Sequence, residues 1–301
     1  MTTTRLWHAL KRVSPSDPVY RRAATPGEPY ARSLSFGARL AVVGLLILLF
    51  CGGISLAPEA TWLVVFGALV ILPLGYILLN GTLSGVGWTV HIAEDISREQ
   101  AQGSFDLLSA LPHGAPGASW RLCAAALSRH GAFGSEDAER VWILRTIFFL
   151  VALVAYIIVA NRPGDWIPES DRSFLGILNL IALLIAIRID DIQSVVASGL
   201  VGMLVPTIVR DPVMTRLSAI GGFLLVQIGS YALVGLLGFA LLPDALAALG
   251  VGALAASIAL PIGRVMLFFA VREGVNRALW HWLARSFGEH PREMEALSGV
   301  R

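Results

Sequence analysis

From Trp62 to Val90 the chain carries not one charged residue. Runs nearly as apolar recur at about Leu40–Ala57, Val141–Ala160, Phe174–Ile187, Ile192–Val209, Ala219–Leu242 and Ala245–Ala270. A helix of about 20 apolar residues crosses the hydrocarbon core of a bilayer, and inside that core a chain satisfies its own backbone groups only as a helix or a closed barrel. With 55% hydrophobic and 15% charged residues, repeated runs of this length exclude a soluble domain built on one large core. The expected fold class is all-α: a polytopic membrane protein of about six transmembrane helices, with an amphipathic cytosolic helix and a second interfacial helix.

Seven runs compete for those spans, and loop charge decides among them. The links Pro58-Glu59 and Pro243-Asp244 hold one acid each and no base. The link 161–172 carries Asp165, Glu169 and Asp171 against Arg162 and Arg172. All three predict outside turns. The amino-terminal segment has Arg5, Lys11, Arg12, Arg21, Arg22, Arg32 and Arg39, and the carboxyl-terminal one Arg272, Arg277, Arg285, Arg292 and Arg301, so both termini are placed in the cytosol. That parity requires an even number of spans, and Ile192–Val209 is demoted to an interfacial or re-entrant helix. The expected organisation is a cytosolic or interfacial amino-terminal segment (1–38), a permease-like transmembrane domain (39–271) with a cytosolic loop at 113–140, and a cytosolic tail (272–301). Arg145 and Arg264 then fall near the cytosolic ends of their runs, where arginine snorkels. Asn179 and Gln227 are the deeper polar residues, suited to lining a path or to hydrogen bonding between helices. Leu6, Trp7, Leu10 and Val13 share one face of a short amphipathic segment, as expected for an element on an anionic membrane surface or for an irregular tail.

The run Trp62–Val90 is longer than a bilayer core, so it tilts, kinks at Pro73 or projects into the cytosol. Its far end would carry Ile92–Pro112, the coupling helix at 92–112, which starts with acids that suit a helix amino terminus. At helical spacing Asp95, Arg98, Glu99, Gln102 and Asp106 share one face, opposite Ile96, Gly103, Leu107 and Leu111. Ile96-Ser97-Arg98-Glu99 followed by Gly103-Ser104-Phe105-Asp106-Leu107-Leu108 and Leu111-Pro112 resembles a pattern in the permeases of ATP-binding-cassette transporters of the type-two exporter class. Asp17-Pro18-Val19-Tyr20-Arg21-Arg22 is similar to a run near that family's amino end. Ser104 stands where the family uses threonine, Gln100 and Gln102 where more charge is common, and Asp17 and Arg22 where it has asparagine and glutamate.

The resemblance implies six spans, a second permease copy or paralogue, and separate ATPase subunits that hold ATP and magnesium. It implies that Asp95, Arg98, Glu99, Gln102, Gly103, Asp106, Leu107, Leu108 and Pro112 meet the ATPase, and it places the chain in a prokaryotic plasma membrane. The other functional class is a non-transporting membrane scaffold or assembly subunit with the same fold. No G-x-x-x-x-G-K-[ST] phosphate loop occurs, so ATP hydrolysis would belong to a partner. The chain is read as not itself an enzyme, with no cofactor, metal or nucleic-acid partner of its own. His91 with Glu94 and Asp95 suits helix capping or surface exposure better than a metal. Lastly, Asp95, Ile96, Ala101, Gly103, Leu108 and Pro116 recur at one offset as Asp191, Ile192, Ala197, Gly199, Leu204 and Pro212. This weak internal repeat would give the second copy an interfacial place with less contact to the ATPase.

Overall fold

A computed structural model describes residues 2–13, 16–24, 61–110, 113–133, 169–290 and 294. The elements are α1 (Thr2–Lys11), α2 (Pro18–Ala24), α3 (Thr61–Ala101), α4 (Ser104–Ser109), α5 (Gly114–Arg129), α6 (Glu169–Ile208), α7 (Pro212–Gly235), a π-helical segment (Leu236–Leu241), α8 (Leu242–Ala248) and α9 (Ala253–Ser286). The described residues contain helices and no strand. The expected spans at about Leu40–Ala57 and Val141–Ala160 lie outside the described residues. Two helices, Pro212–Ala248 and Ala255–Ser286, are long and apolar enough to cross a membrane.

Four helices meet in one polar layer. Arg272 of α9 pairs with Asp190 of α6 at 2.9 Å, their side chains 1% and 6% exposed. Its Nη1 donates to Gln227 Oε1 (2.6 Å) and to Ser230 (3.2 Å) on α7, and its Nη2 donates to Ser194 (2.6 Å). The Tyr231 hydroxyl donates to the other Asp190 oxygen at 2.8 Å. A Cβ added at Gly81 of α3 would sit 3.5 Å from the same oxygen. A buried charge is tolerated only where paired and hydrogen-bonded, and the fork of Arg272 meets that condition on three sides.

This layer divides the molecule. The main buried cluster, including Ile92, Ile96, Trp120, Leu127, Leu200, Met203, Phe223, Trp280 and Leu283, lies wholly on the side of the layer holding α1, α2, α4 and α5. On the other side, α7, the π segment and α9 show Ile228, Leu233, Leu236, Phe239, Ile262 and Met266 as exposed side chains. Large apolar residues left outside while polar ones are buried is the reverse of a water-soluble arrangement. From the turn at 249–252, about twenty residues of either helix reach the layer, ~30 Å at helical rise, which equals the thickness of a bilayer core.

Four expectations need correction. Residues 192–208 form neither a span nor a separate interfacial helix; they are the second half of unbroken α6, and residues 193–206 are all buried. Their lack of charge reflects a protein core below the polar layer, so the run needed no lipid to bury it. Pro243-Asp244, expected to be a turn, is helical, and the chain turns instead at 249–252, where Gly250 takes φ 68°. Pro243 sits in the first turn of α8, where its missing N–H costs nothing. Moving the turn moves Arg264: it is the twelfth residue of α9, about 18 Å from that turn, and lies toward the middle of the apolar stretch, away from its end. Arg272, expected in a solvated tail, is buried mid-helix, and α9 continues to Ser286.

The amphipathic face of α1 is taken up by protein: Leu6 and Leu10 are buried in the cluster. Trp7 packs edge-on against Phe133, ring centroids 5.5 Å apart. The backbone amides of Thr2 and Thr3 donate to the Glu273 carboxylate on α9, a negative charge at a helix amino end. Asn276 donates to the Thr3 hydroxyl at 3.2 Å.

Candidate functional site

The segment expected to form one coupling helix is a helix end, a glycine turn and a short second helix. α3 stops at Ala101, and Gly103 takes φ 69°. Nothing lies within 4 Å of a Cβ placed at Gly103, so glycine is required there by the left-handed backbone and not by a close neighbour. α4 is then anchored by buried Phe105 and by Leu108 packed against the cluster. Those two anchors turn Asp106 and Leu107 outward, and Leu107 is 75% exposed. Arg98 and Gln102 are exposed beside them. Pro112 lies outside the described residues.

Two of the predicted contact charges have partners inside the chain. Asp95 pairs with Arg129 of α5. Glu99 pairs with Arg22 of α2 at 3.2 Å and accepts a hydrogen bond from Ser104. The Ser104 hydroxyl also lies 3.1 Å from the Glu99 carbonyl. The two separated stretches that carry the family resemblance thus meet through Arg22 and Glu99. Asp17 starts α2 with its carboxylate accepting from the amides of Val19 (2.9 Å) and Tyr20 (3.2 Å), and its other oxygen holds Arg121 of α5. On the far side of α3, Glu94 faces Arg216 at 3.5 Å and Ser97 reaches Thr215 at 3.4 Å. The α6–α7 corner, opened by the Asp211 cap and Pro212, is thereby fixed beside the end of α3.

Below these pairs His91 stacks on His130, ring centroids 4.0 Å apart and 9° from parallel, and the Trp88 indole donates to the His130 carbonyl. Burial, then neighbouring His91 and Arg129, lower the His130 pKa from 6.5 to about 4. Burial also lowers that of His91, against the opposing charges of Glu94 and Asp95. Burial raises that of Asp95, although Arg129 opposes it. A lowered histidine pKa means that the unfolded chain takes the proton first. The His130 contribution to stability is therefore complete above about pH 6.5 and lost as pH falls toward about 4. Thermal unfolding followed across that window should show the loss in the wild type and a flatter profile in His130→Phe, which keeps a stacked ring without a titrating nitrogen. Identical slopes would refute this account.

Of the two deeper polar residues, Gln227 is fully buried in the Arg272 network, whereas Asn179 is exposed on α6. Arg22, Arg129 and Arg272 were not singled out from the sequence as partners. The spacings Asp190–Ser194 and Gln227–Tyr231, one helical turn each, were the signal available for the network. No known protein family, curated protein or solved structure matches this chain.

Proposed function

We propose that this chain is the membrane subunit of an ATP-binding-cassette transporter, a permease similar to the type-two exporter class. It works with a separate ATP-hydrolysing subunit and a second permease copy or paralogue. In this reading the polar layer marks the cytosolic edge of the bilayer, six spans cross it, both termini are cytosolic, and the membrane is a prokaryotic plasma membrane. The observation that carries the proposal is α4: a short helix displaced from the end of a long one, braced by Arg22–Glu99 and Ser104, and presenting Leu107 to solvent. A large apolar side chain held outward on a rigid support is suited to a partner's socket. Movement of that socket would be passed by α4 and α5 into α3 and α6, which share the buried cluster.

The test is co-purification of ATP hydrolysis with the tagged chain from its own membranes, in wild type and Leu107→Glu. Loss of a central apolar anchor is expected to weaken association by about 2 kcal/mol, ~30-fold, with membrane insertion unchanged. If the wild type brings no ATP-hydrolysing subunit, or the variant brings as much, the proposal fails and the scaffold reading gains.

A further inference from the structure

We propose that Arg264 is a binding point inside the membrane for the acidic group of an amphiphile, a phosphate monoester or carboxylate on an apolar tail. Where the transport reading holds, that amphiphile is cargo. Arg264 stands eight residues before Arg272 and twelve after Gly252, so it lies about 12 Å above the polar layer and about 18 Å from the outer turn. Both distances exceed the reach to a headgroup that lets arginine snorkel from a helix end. An arginine at such depth disfavours insertion, and positions of this kind are kept for function.

Its surroundings are built to hold the guanidinium and leave part of it open. The π segment of α7 breaks the regular ladder, as such segments often do beside functional sites. The Gly238 carbonyl within it accepts from Arg264 Nε at 3.1 Å. The Phe239 ring lies 4.2 Å from the guanidinium carbon, a cation–π contact worth more where water is excluded. A Cβ at Gly238 would meet the arginine stem at 3.4 Å, an ordinary contact, so the π segment and the arginine lie side by side. These contacts use one of the five N–H donors of the fork. The two terminal amino groups have no hydrogen-bond or ion-pair partner among the described residues. The acids nearest along these helices are committed or distant: Glu273 holds Thr2 and Thr3, Asp190 holds Arg272, and Asp244 is exposed six residues beyond Gly238. A charge that is positioned, partly desolvated and not neutralised by any described residue suits an anion able to enter the bilayer, and a planar pair of amino groups fits two oxygens of one acid.

The experiment uses the purified full chain in nanodiscs of phosphatidylcholine. Binding of a fluorescent lysophosphatidic-acid analogue is compared with that of the matched lysophosphatidylcholine analogue, for the wild type, Arg264→Lys and Arg264→Gln. The wild type should prefer the acidic probe, Arg264→Gln should bind it about tenfold more weakly, and Arg264→Lys, which keeps the charge, should fall between them. Unfolding temperatures of all three show whether a variant is merely misfolded; an equal thermal loss in both variants with no change in probe preference would leave Arg264 a structural prop and overturn the proposal. So would equal binding of the two probes by the wild type. Repeating the measurement with phosphatidylglycerol in the disc separates the sources: competition assigns the site to resident acidic lipid, persistence to cargo. Because no ATPase is needed, failure here leaves the permease reading standing, and a wild type that brings no ATP-hydrolysing subunit leaves this site standing.

Discussion

Arg272→Leu is expected to unfold much of the protein, costing about 3–5 kcal/mol, because it strands Asp190 as a buried charge without its cation. The guanidinium touches Asp190, Gln227, Ser194 and Ser230 on two other helices, so α6 and α7 both lose this tie to α9 at once. Asp190 would retain only the Tyr231 hydroxyl at 2.8 Å and the weaker 3.4 Å contact from Ser194. Removing the second charge as well, in Arg272→Leu with Asp190→Leu, should restore most of the loss, since a buried pair replaced by apolar groups is often neutral or better. Arg272→Lys should not restore it, because an ammonium lacks the flat fork that reaches two helices together. Thermal unfolding of the detergent-purified protein distinguishes these outcomes. A single leucine variant as stable as wild type would mean that the layer does not hold the helices together.

The second large effect is steric. A Cβ at Gly202 of α6 would lie 2.8 Å from the Ile92 Cβ and 3.1 Å from the Thr89 carbonyl oxygen; the first is fixed directly to the backbone and the second belongs to it, so neither can swing aside. Gly202→Leu should therefore push α3 and α6 apart at the point where each passes below the polar layer. Overpacking of a tight core costs typically 1–3 kcal/mol, and a helix–helix approach this close belongs at about the upper end. Gly229→Leu on α7 is the control, because nothing lies within 4 Å of a Cβ there; it should leave the unfolding temperature within a degree or two. Were the two variants equally stable, α3 and α6 would not be in contact at Gly202. The two sites share no partner residue, so the losses from Arg272→Leu and Gly202→Leu should add.

What could be read from the sequence followed the strength of each local signal. The all-helical architecture was legible because charge is absent over stretches that no soluble helix requires. Asp-Pro, a cap followed by a pre-set first residue, stands at the starts of α2 and α7, a local signal that the expectations above did not use. The break near Gly103 was not anticipated, because Asp95 to Asp106 keeps helical spacing on both sides of it and the pattern skips the interruption. The run 192–209 was misplaced for a different reason. An uncharged stretch buried by lipid and one buried by protein look alike, and only the partners, here α1, α3, α5, α7 and α9, tell them apart. The same ambiguity carried the turn from 249–252 back to Pro243-Asp244, where one acid and a proline suggest a link, and it drew Arg264 toward the wrong end of its helix. At the candidate site Asp106 faces outward as its spacing allowed, whereas Leu107, placed by spacing on the opposite apolar face, is turned outward as well because the Gly103 turn resets the helix. The engagement of Glu99 with Arg22 rests on two residues 77 positions apart, a distance over which periodicity carries no information.

The docking of α1 has a consequence in time. A chain made from its amino end releases Thr2 and Thr3 well before α9, and the carboxylate that caps them, Glu273, lies 270 residues downstream of Thr3. The cluster that receives Leu6 and Leu10 draws on α5, α6 and α9, so α1 has no finished seat until α9 arrives. Its grip on Glu273 and Asn276 makes α1 the closing piece of the bundle on this side of the polar layer: a helix made early is seated late.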